Sequence, residues 1–362
     1  MRLALTAGGT GGHILPALAV YDALVARGIA SEVRFFGPED RGERARVEAK
    51  GIAFEAVSAA AVRGKGPLSL AKAMFRLATG TFAAARRLRA FRPDAVFSTG
   101  GYASFPASLA ARILRRPLVV YLPDVSPGWA VRAETRLATR MATTAEAALA
   151  FLPAKKTVIT GYPVRAEFFA TTREEARAAL GIAAGDRVLV VAGASQGAKA
   201  INAAIFAALP ALLPSTVVVH VTGPAEAPDA ERLRAALDPT LAARYHTAAF
   251  REDLPVVMLA ADLAVMRAGA SVLGELPAAK LPSILIPGTF AGGHQRDNAR
   301  FLADGGAAVV LEERDIAALP ATIESLIDDS TRLTAMREAA AKLARPGAAS
   351  AIVDLLLEVA KR

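Results

Sequence analysis

Short apolar runs alternate with helical patterns along the whole chain, and this alternation most constrains what it can fold into. In the first half the runs fall at 3–6, 32–36, 54–57, 95–98, 118–121 and 158–160, with helix-like stretches such as 15–27 and 68–89 between them. In the second half they fall at 188–191, 216–221, 246–248, 263–266, 283–286 and 307–311. Strands spaced by helices of this length predict parallel sheets covered on both faces. The pattern restarts near residue 186, just after Thr160-Gly161-Tyr162-Pro163-Val164-Arg165. Over 362 residues this predicts two doubly wound domains in tandem, facing each other across a cleft. Three helices, at 315–327, 331–344 and 348–360, close the chain. In such sheets ligands bind beyond the C-terminal strand ends, so loops that follow strands are the places to search.

Composition removes several classes of chemistry. There are no cysteines, which excludes thiol catalysis, disulfides and Cys-ligated metal. The four histidines, His13, His220, His246 and His294, lack metal-ligand spacing, so no zinc site is expected. No apolar run approaches the ~18 residues that span a bilayer. The N-terminus breaks into glycines where a signal peptide would continue, so a cytoplasmic protein is expected. Charge is uneven. Residues 1–160 carry 23 Lys and Arg against 11 Asp and Glu, whereas residues 161–362 carry 20 against 23. The first half should therefore prefer an anionic partner.

Five motifs sit where such loops are expected. Gly8-Gly9-Thr10-Gly11-Gly12-His13 follows the first strand and opens a helix. Glycines admit a close ligand, and a helix N-terminus favours anions. Neither the dinucleotide fingerprint nor a Walker loop fits, because position 14 is Ile and no G-K-[ST] follows. His13 reads either as a residue buried at a helix start or as a proton acceptor. Thr99-Gly100-Gly101-Tyr102-Ala103-Ser104 is a second glycine loop, in which Tyr102 caps a substrate or packs on the next helix. Gly193-Ala194-Ser195-Gln196-Gly197-Ala198 holds the equivalent place in the second half and suits a diphosphate. In the run 267–275, Ser271 is a candidate N-cap. Glu275 there either complements the helix dipole or accepts two ribose hydroxyls. Gly292-Gly293-His294-Gln295-Arg296-Asp297-Asn298 suits sugar hydroxyls, or is simply a solvated helix start. Separately, residues 68–92 mix Leu68, Met74, Phe75 and Phe82 with Lys72, Arg76, Arg86 and Arg89. They read as an interfacial helix for anionic lipid or as a core helix with a basic face.

The ordered set GGTGGH, GGY, G-x-P-V-R, G-x-SQG-A, R-x-GA-x-x-x-x-E and HQ-x-x-NA resembles the MurG family. These are UDP-N-acetylglucosamine:undecaprenyl-pyrophosphoryl-N-acetylmuramyl-pentapeptide N-acetylglucosaminyltransferases of peptidoglycan synthesis. The resemblance spans essentially the whole chain. It implies a two-domain GT-B enzyme that needs no metal or other cofactor. It implies inverting transfer of N-acetylglucosamine from UDP-N-acetylglucosamine to the 4-hydroxyl of the undecaprenyl-linked muramyl-peptide. The last helix would return to the first domain, giving 1–163 plus 342–362 for the acceptor and membrane side, and 164–341 for the donor. Matching motifs carry Arg165, Ser195 and Gln196 over as diphosphate contacts and Glu275 as the ribose acid. Gln295 then touches the donor sugar, and Phe250 and Arg251 fall where uracil binds. Thr10, Gly11, Gly12, His13 and Tyr102 match acceptor-side positions. His13 is the candidate base, its side chain being the usual one for a pKa near working pH. The enzyme would dock on the cytoplasmic face of the membrane, as a peripheral protein on an anionic surface.

One departure falls on the acceptor side. The family shows an H-E-Q-N stretch where this chain reads Tyr121-Leu122-Pro123-Asp124. Asp124 replaces the Asn and is an alternative base, an orienting group for His13, or a turn residue. It keeps open a transferase of the same fold with another lipid acceptor, such as a diacylglycerol. An epimerase of UDP-N-acetylglucosamine would need more catalytic acids. A nucleic-acid-binding protein would explain the basic half, but aromatics make up only 6% and no binding motif is present, so no nucleic-acid partner is expected.

Overall fold

Seven parallel strands make the first sheet and six the second among the described residues. The computed structural model describes all residues except 9–10, 30–31, 39–42, 60–66, 194–196, 289–292 and 362, and except the side chains of 11 and 67–69. The first sheet contains β1 (Arg2–Thr6), β2 (Glu32–Gly37), β3 (Ala53–Ala56), β4 (Ala95–Ser98), β5 (Leu118–Leu122), β6 (Arg140–Thr143) and β7 (Thr157–Ile159). Its order is β3-β2-β1-β4-β5-β6-β7. The second contains β8 (Arg187–Ala192), β9 (Thr216–Val221), β10 (Tyr245–Ala248), β11 (Leu263–Met266), β12 (Ser283–Leu285) and β13 (Ala308–Val310), in the order β10-β9-β8-β11-β12-β13. Each sheet therefore winds outward from its first strand in both directions. The reversal falls between β1 and β4 in one and between β8 and β11 in the other. At such a switch point adjacent loops diverge and leave a crevice.

Central strands are buried on both faces, as helix-covered parallel sheets require. In β4, β5 and β11 every residue is buried. One core packs the sheet residues Val96, Val120 and Met141 against Leu88 and Phe91 of the helix Pro67–Phe91. The other packs Val191, Val218 and Ile284 against Ile201 and Ile205 of the helix Lys199–Leu212. The chain divides into two units, Met1–Val164 with Pro346–Arg362, and Arg165–Arg345. The helix Ala348–Ala360 belongs to the first, where Asp354 pairs with Arg27 and Glu358 with Arg140.

Strand β6 is absent from the expectation. Its sequence, Arg-Met-Ala-Thr, has only one β-branched residue. Pairing on both sides with β5 and β7 makes it a strand, a tertiary effect that local propensity does not carry.

Candidate functional site

In the first unit the loops after β1, β4 and β5 adjoin at the C-terminal edge of the sheet. The first two touch. A Cβ on Gly8 would lie 2.9 Å from the Gly101 neighbour Gly100 at its carbonyl oxygen, and one on Gly101 would lie 2.7 Å from the Gly8 Cα. Gly101 also has a φ of +95°, which side chains disfavour. Any other residue here would push the loops apart.

His13 lies in the first turn of the helix Gly11–Ala26 and is partly buried. Its Nδ1 lies 2.8 Å from the Thr99 carbonyl oxygen, and the Thr99 hydroxyl donates back to the His13 carbonyl at 2.7 Å. A carbonyl can only accept, so Nδ1 carries the hydrogen. In the neutral ring Nε2 then holds the free lone pair. The two glycine loops thus fix both the ring and its tautomer. The Gly12 carbonyl accepts from the Tyr162 hydroxyl at 3.1 Å. Asp124 and Tyr102 are half-buried on the neighbouring loops after β5 and β4. Thr10 lies outside the described residues.

Beneath these loops is a carboxyl that sequence reading missed. Glu134, on the helix Trp129–Leu137, is fully buried. It accepts from the hydroxyls of Ser98 at 3.0 Å, Ser104 at 2.8 Å and Ser108 at 2.9 Å. Burial pushes its carboxyl up to about 7, against the pull of the three serines. The one available signal was an acid three residues after Val131, on the apolar face of the helix.

In the second unit the crevice lies between the loops after β8 and β11. Ser195 and Gln196, in the loop after β8, lie outside the described residues. Glu275, on the helix Val272–Ala278, is buried. Burial raises its carboxyl, while a hydrogen bond from Ser271 and the charge of Arg165 lower it. Ser271 occupies the expected N-cap position, but its own backbone is helical and its side chain makes no cap hydrogen bond. Its hydroxyl serves Glu275 instead, which corrects the expectation. Arg165 donates to the Glu252 carbonyl at 2.9 Å, and its Nε is buried without a partner among the described residues. The arginine is thereby tied to the segment carrying Phe250 and Arg251. Phe250 is 55% exposed, and Arg251 is clamped by Asp253 at 2.8 Å. Gln295, at the start of the helix His294–Asp304, accepts from the Gly288 amide at 2.8 Å. Asn298, one turn on, is buried and donates to the Ala268 carbonyl at 3.1 Å.

A second buried polar network lies on the other side of β8, where β9 and β10 meet the helix Lys199–Leu212. Asn202 donates to the Thr222 carbonyl at 2.8 Å and takes a hydrogen bond from His220 Nε2 at 3.0 Å. His220 Nδ1 faces the Tyr245 hydroxyl at 3.1 Å. Burial pushes the imidazole down to about 3 and the phenol up to about 12. The network therefore stays neutral at ordinary pH.

Known proteins share this architecture from end to end. The model described as the glycosyltransferase family 28 N-terminal domain matches residues 3–143, and that described as the family 28 C-terminal domain matches 187–352. Two doubly wound sheets with these matches define a GT-B glycosyltransferase. The chain is 39% identical to the UDP-N-acetylglucosamine–N-acetylmuramyl-(pentapeptide) pyrophosphoryl-undecaprenol N-acetylglucosamine transferase of Nitratidesulfovibrio vulgaris, covering 99% of this chain and 98% of that protein. It is 37% identical to the Roseiflexus enzyme of the same name, over 98% and 94%. Acinetobacter baumannii MurG shares the fold at a TM-score of 0.75 and 26% identity, covering 99% of both chains. A UDP-GlcNAc 2-epimerase from Neisseria meningitidis shares the fold alone, at 0.70 and 16% identity, over 99% of this chain and 100% of that one. The chain belongs to the family of these N-acetylmuramyl-(pentapeptide) pyrophosphoryl-undecaprenol N-acetylglucosamine transferases.

Proposed function

We propose that this chain transfers N-acetylglucosamine from UDP-N-acetylglucosamine to the 4-hydroxyl of undecaprenyl-pyrophosphoryl-N-acetylmuramyl-pentapeptide, with inversion at the anomeric carbon. The observation that carries this reading is the end-to-end match, at 37% and 39% identity, to enzymes bearing that name. In the proposed step the acceptor oxygen attacks the anomeric carbon as the bond to the UDP oxygen breaks. The hydroxyl proton goes to His13 Nε2, and UDP leaves with the electron pair of the broken bond. The Nδ1 hydrogen bond to Thr99 supports this role, because it leaves Nε2 as the basic nitrogen. Asp124, half-buried on the loop after β5, is the alternative base. The second unit takes the donor: Glu275 accepts from the ribose, Arg165 faces the diphosphate with Ser195 and Gln196, and Gln295 meets the sugar. Phe250 and Arg251 border the uracil.

The acceptor is lipid-linked, and the helix Pro67–Phe91 suits a membrane surface. Phe75 is 69% exposed and Phe82, seven residues on, is 75% exposed. Lys72, Arg76, Arg86 and Arg89 are exposed beside them. No helix among the described residues is long and apolar enough to cross a membrane. This composition supports peripheral docking on anionic lipid. Phe75→Asp should weaken flotation with anionic vesicles severalfold, and equal flotation with neutral vesicles would count against the idea.

The test is UDP release from UDP-N-acetylglucosamine with and without a soluble analogue of the muramyl-pentapeptide acceptor. Release that requires the acceptor, with a disaccharide product by mass, is the expected result. Donor binding without that release would move suspicion to Asp124 and to another lipid acceptor.

A further inference from the structure

Glu134 is an expensive group to keep. It is fully buried, and among the described residues no cation pairs with it. Its three serine hydrogen bonds offset the cost of burial only in part, since the carboxyl is still pushed up, and an apolar side chain of similar size is commonly tolerated better. Its surroundings show what it touches. Ser98 ends β4 and also accepts the Gly100 amide at 3.1 Å. Ser104 lies 2.8 Å from the Gly101 carbonyl and 2.8 Å from Glu134 Oε1. One turn before Glu134, Val131 fills the space that a Cβ on Gly100 would need, its Cγ2 lying 2.5 Å from that point. Val131 and Glu134 therefore form the floor of the second glycine loop.

The Ser104 hydroxyl has one hydrogen and two acceptors, so it serves the Gly101 carbonyl or the carboxylate, not both fully. A carboxyl hydrogen given to Ser104 Oγ would turn the serine hydrogen back to Gly101. The carboxyl thus decides how the Gly101 peptide is held. That peptide meets Gly8, and a Cβ on Gly101 would come 3.8 Å from His13 Cδ2.

We propose that Glu134 is a positioning residue for the acceptor half: through Ser98 and Ser104 it sets the Gly100–Gly101 turn against Gly8 and so fixes the His13 imidazole. Glu134 itself is not placed in contact with substrate. The inference rests on the reading of His13 as the base.

The test compares Glu134→Leu, Glu134→Gln and Ser104→Ala in the full chain. Glu134→Leu should lower kcat for acceptor-dependent UDP release by about tenfold to a hundredfold, as small misplacements of a reacting group do. The donor KM should stay within about twofold, because the donor loops lie on the other sheet. Glu134→Gln retains an acceptor oxygen and should recover most of the loss. A second readout needs no turnover. The imidazole nitrogen NMR signals of the four histidines, assigned with His13→Gln, report each ring and its tautomer. In Glu134→Leu the His13 signals should shift while those of His220 stay put. A merely structural role would reduce folded protein and leave both kcat per folded molecule and the His13 signals unchanged, which would overturn the proposal. If Glu134→Leu fails to fold, Ser104→Ala decides by the same two readouts. If the wild type does not use the muramyl acceptor, the function fails separately, and the His13 signals still judge the positioning claim.

Discussion

The two sheets wind alike, but the buried polar networks inside the two units are built from opposite chemistry. Under the first unit's loops lies a carboxyl held by three serines, raised to about 7 by burial. In the second, β9 carries an imidazole joined to Asn202 and Tyr245, pushed down to about 3. The first network can change charge near neutrality. The second cannot. The unit proposed to take the acceptor's proton holds a titratable buried network, whereas the unit proposed to hold a diphosphate holds a neutral one. Topology supplies the crevices, and the buried side chains set how each unit responds to pH.

The largest expected effect separates the units by function. His13→Ala should lower acceptor-dependent UDP release by about a hundredfold to ten-thousandfold, the range for a lost general base. Donor binding, followed by calorimetry, should be unchanged. Near-normal turnover in a folded His13→Ala protein would leave Asp124 as the base, and Asp124→Asn would then carry the large loss.

Next is stability, where the two buried networks should give opposite pH slopes. His220 binds its proton more weakly when folded, so the unfolded chain holds more protons between about pH 3 and 6.5. Stability of the second unit should therefore fall as pH drops through that window, by on the order of 5 kcal/mol in all. Glu134 has the reverse sign. Its folded form keeps the proton between about 4.5 and 7, so the first unit should lose stability as pH rises through that range. The full effect is on the order of 3 kcal/mol. Hydrogen exchange resolved by unit measures both, because a two-unit chain need not unfold in one step. His220→Gln should flatten only the second slope and Glu134→Gln only the first. Parallel slopes in the two units would break the contrast.

Much of the fold is legible in the sequence because the central strands are apolar runs bounded by glycine loops. Ala95–Ser98, Thr216–Val221 and Leu263–Met266 carry this signal in full. Arg140–Thr143 does not, since its strand character comes from neighbours on either side. The site divides similarly. His13, Tyr102, Arg165, Glu275 and Gln295 announce themselves by following strands in glycine-bearing loops. Glu134 and its serines do not, because they meet from β4 and two different helices, up to 36 residues apart. The Asn202–His220–Tyr245 network is hidden for the same reason. Each member reads alone as an ordinary helix or strand residue until the sheet brings them together.

The smallest of these effects tests whether the donor crevice also depends on a charged group. Glu275 is buried, which favours its neutral form, but Arg165 and the Ser271 hydroxyl favour its anion. If the anion accepts ribose hydroxyls, those hydrogen bonds are charge-assisted and stronger than neutral ones. Glu275→Gln keeps the shape and leaves one acceptor oxygen. It should weaken UDP-N-acetylglucosamine binding by about 2 kcal/mol, or roughly thirtyfold, the size of a hydrogen bond to a charged group. Acceptor-dependent kcat at saturating donor should change little, since the ribose is remote from the bond that breaks. Calorimetric titration with UDP and with uracil separates the ribose contribution. The loss should appear with UDP and be absent with the free base. An equal loss with both would mean that Glu275 shapes the crevice without touching the ribose.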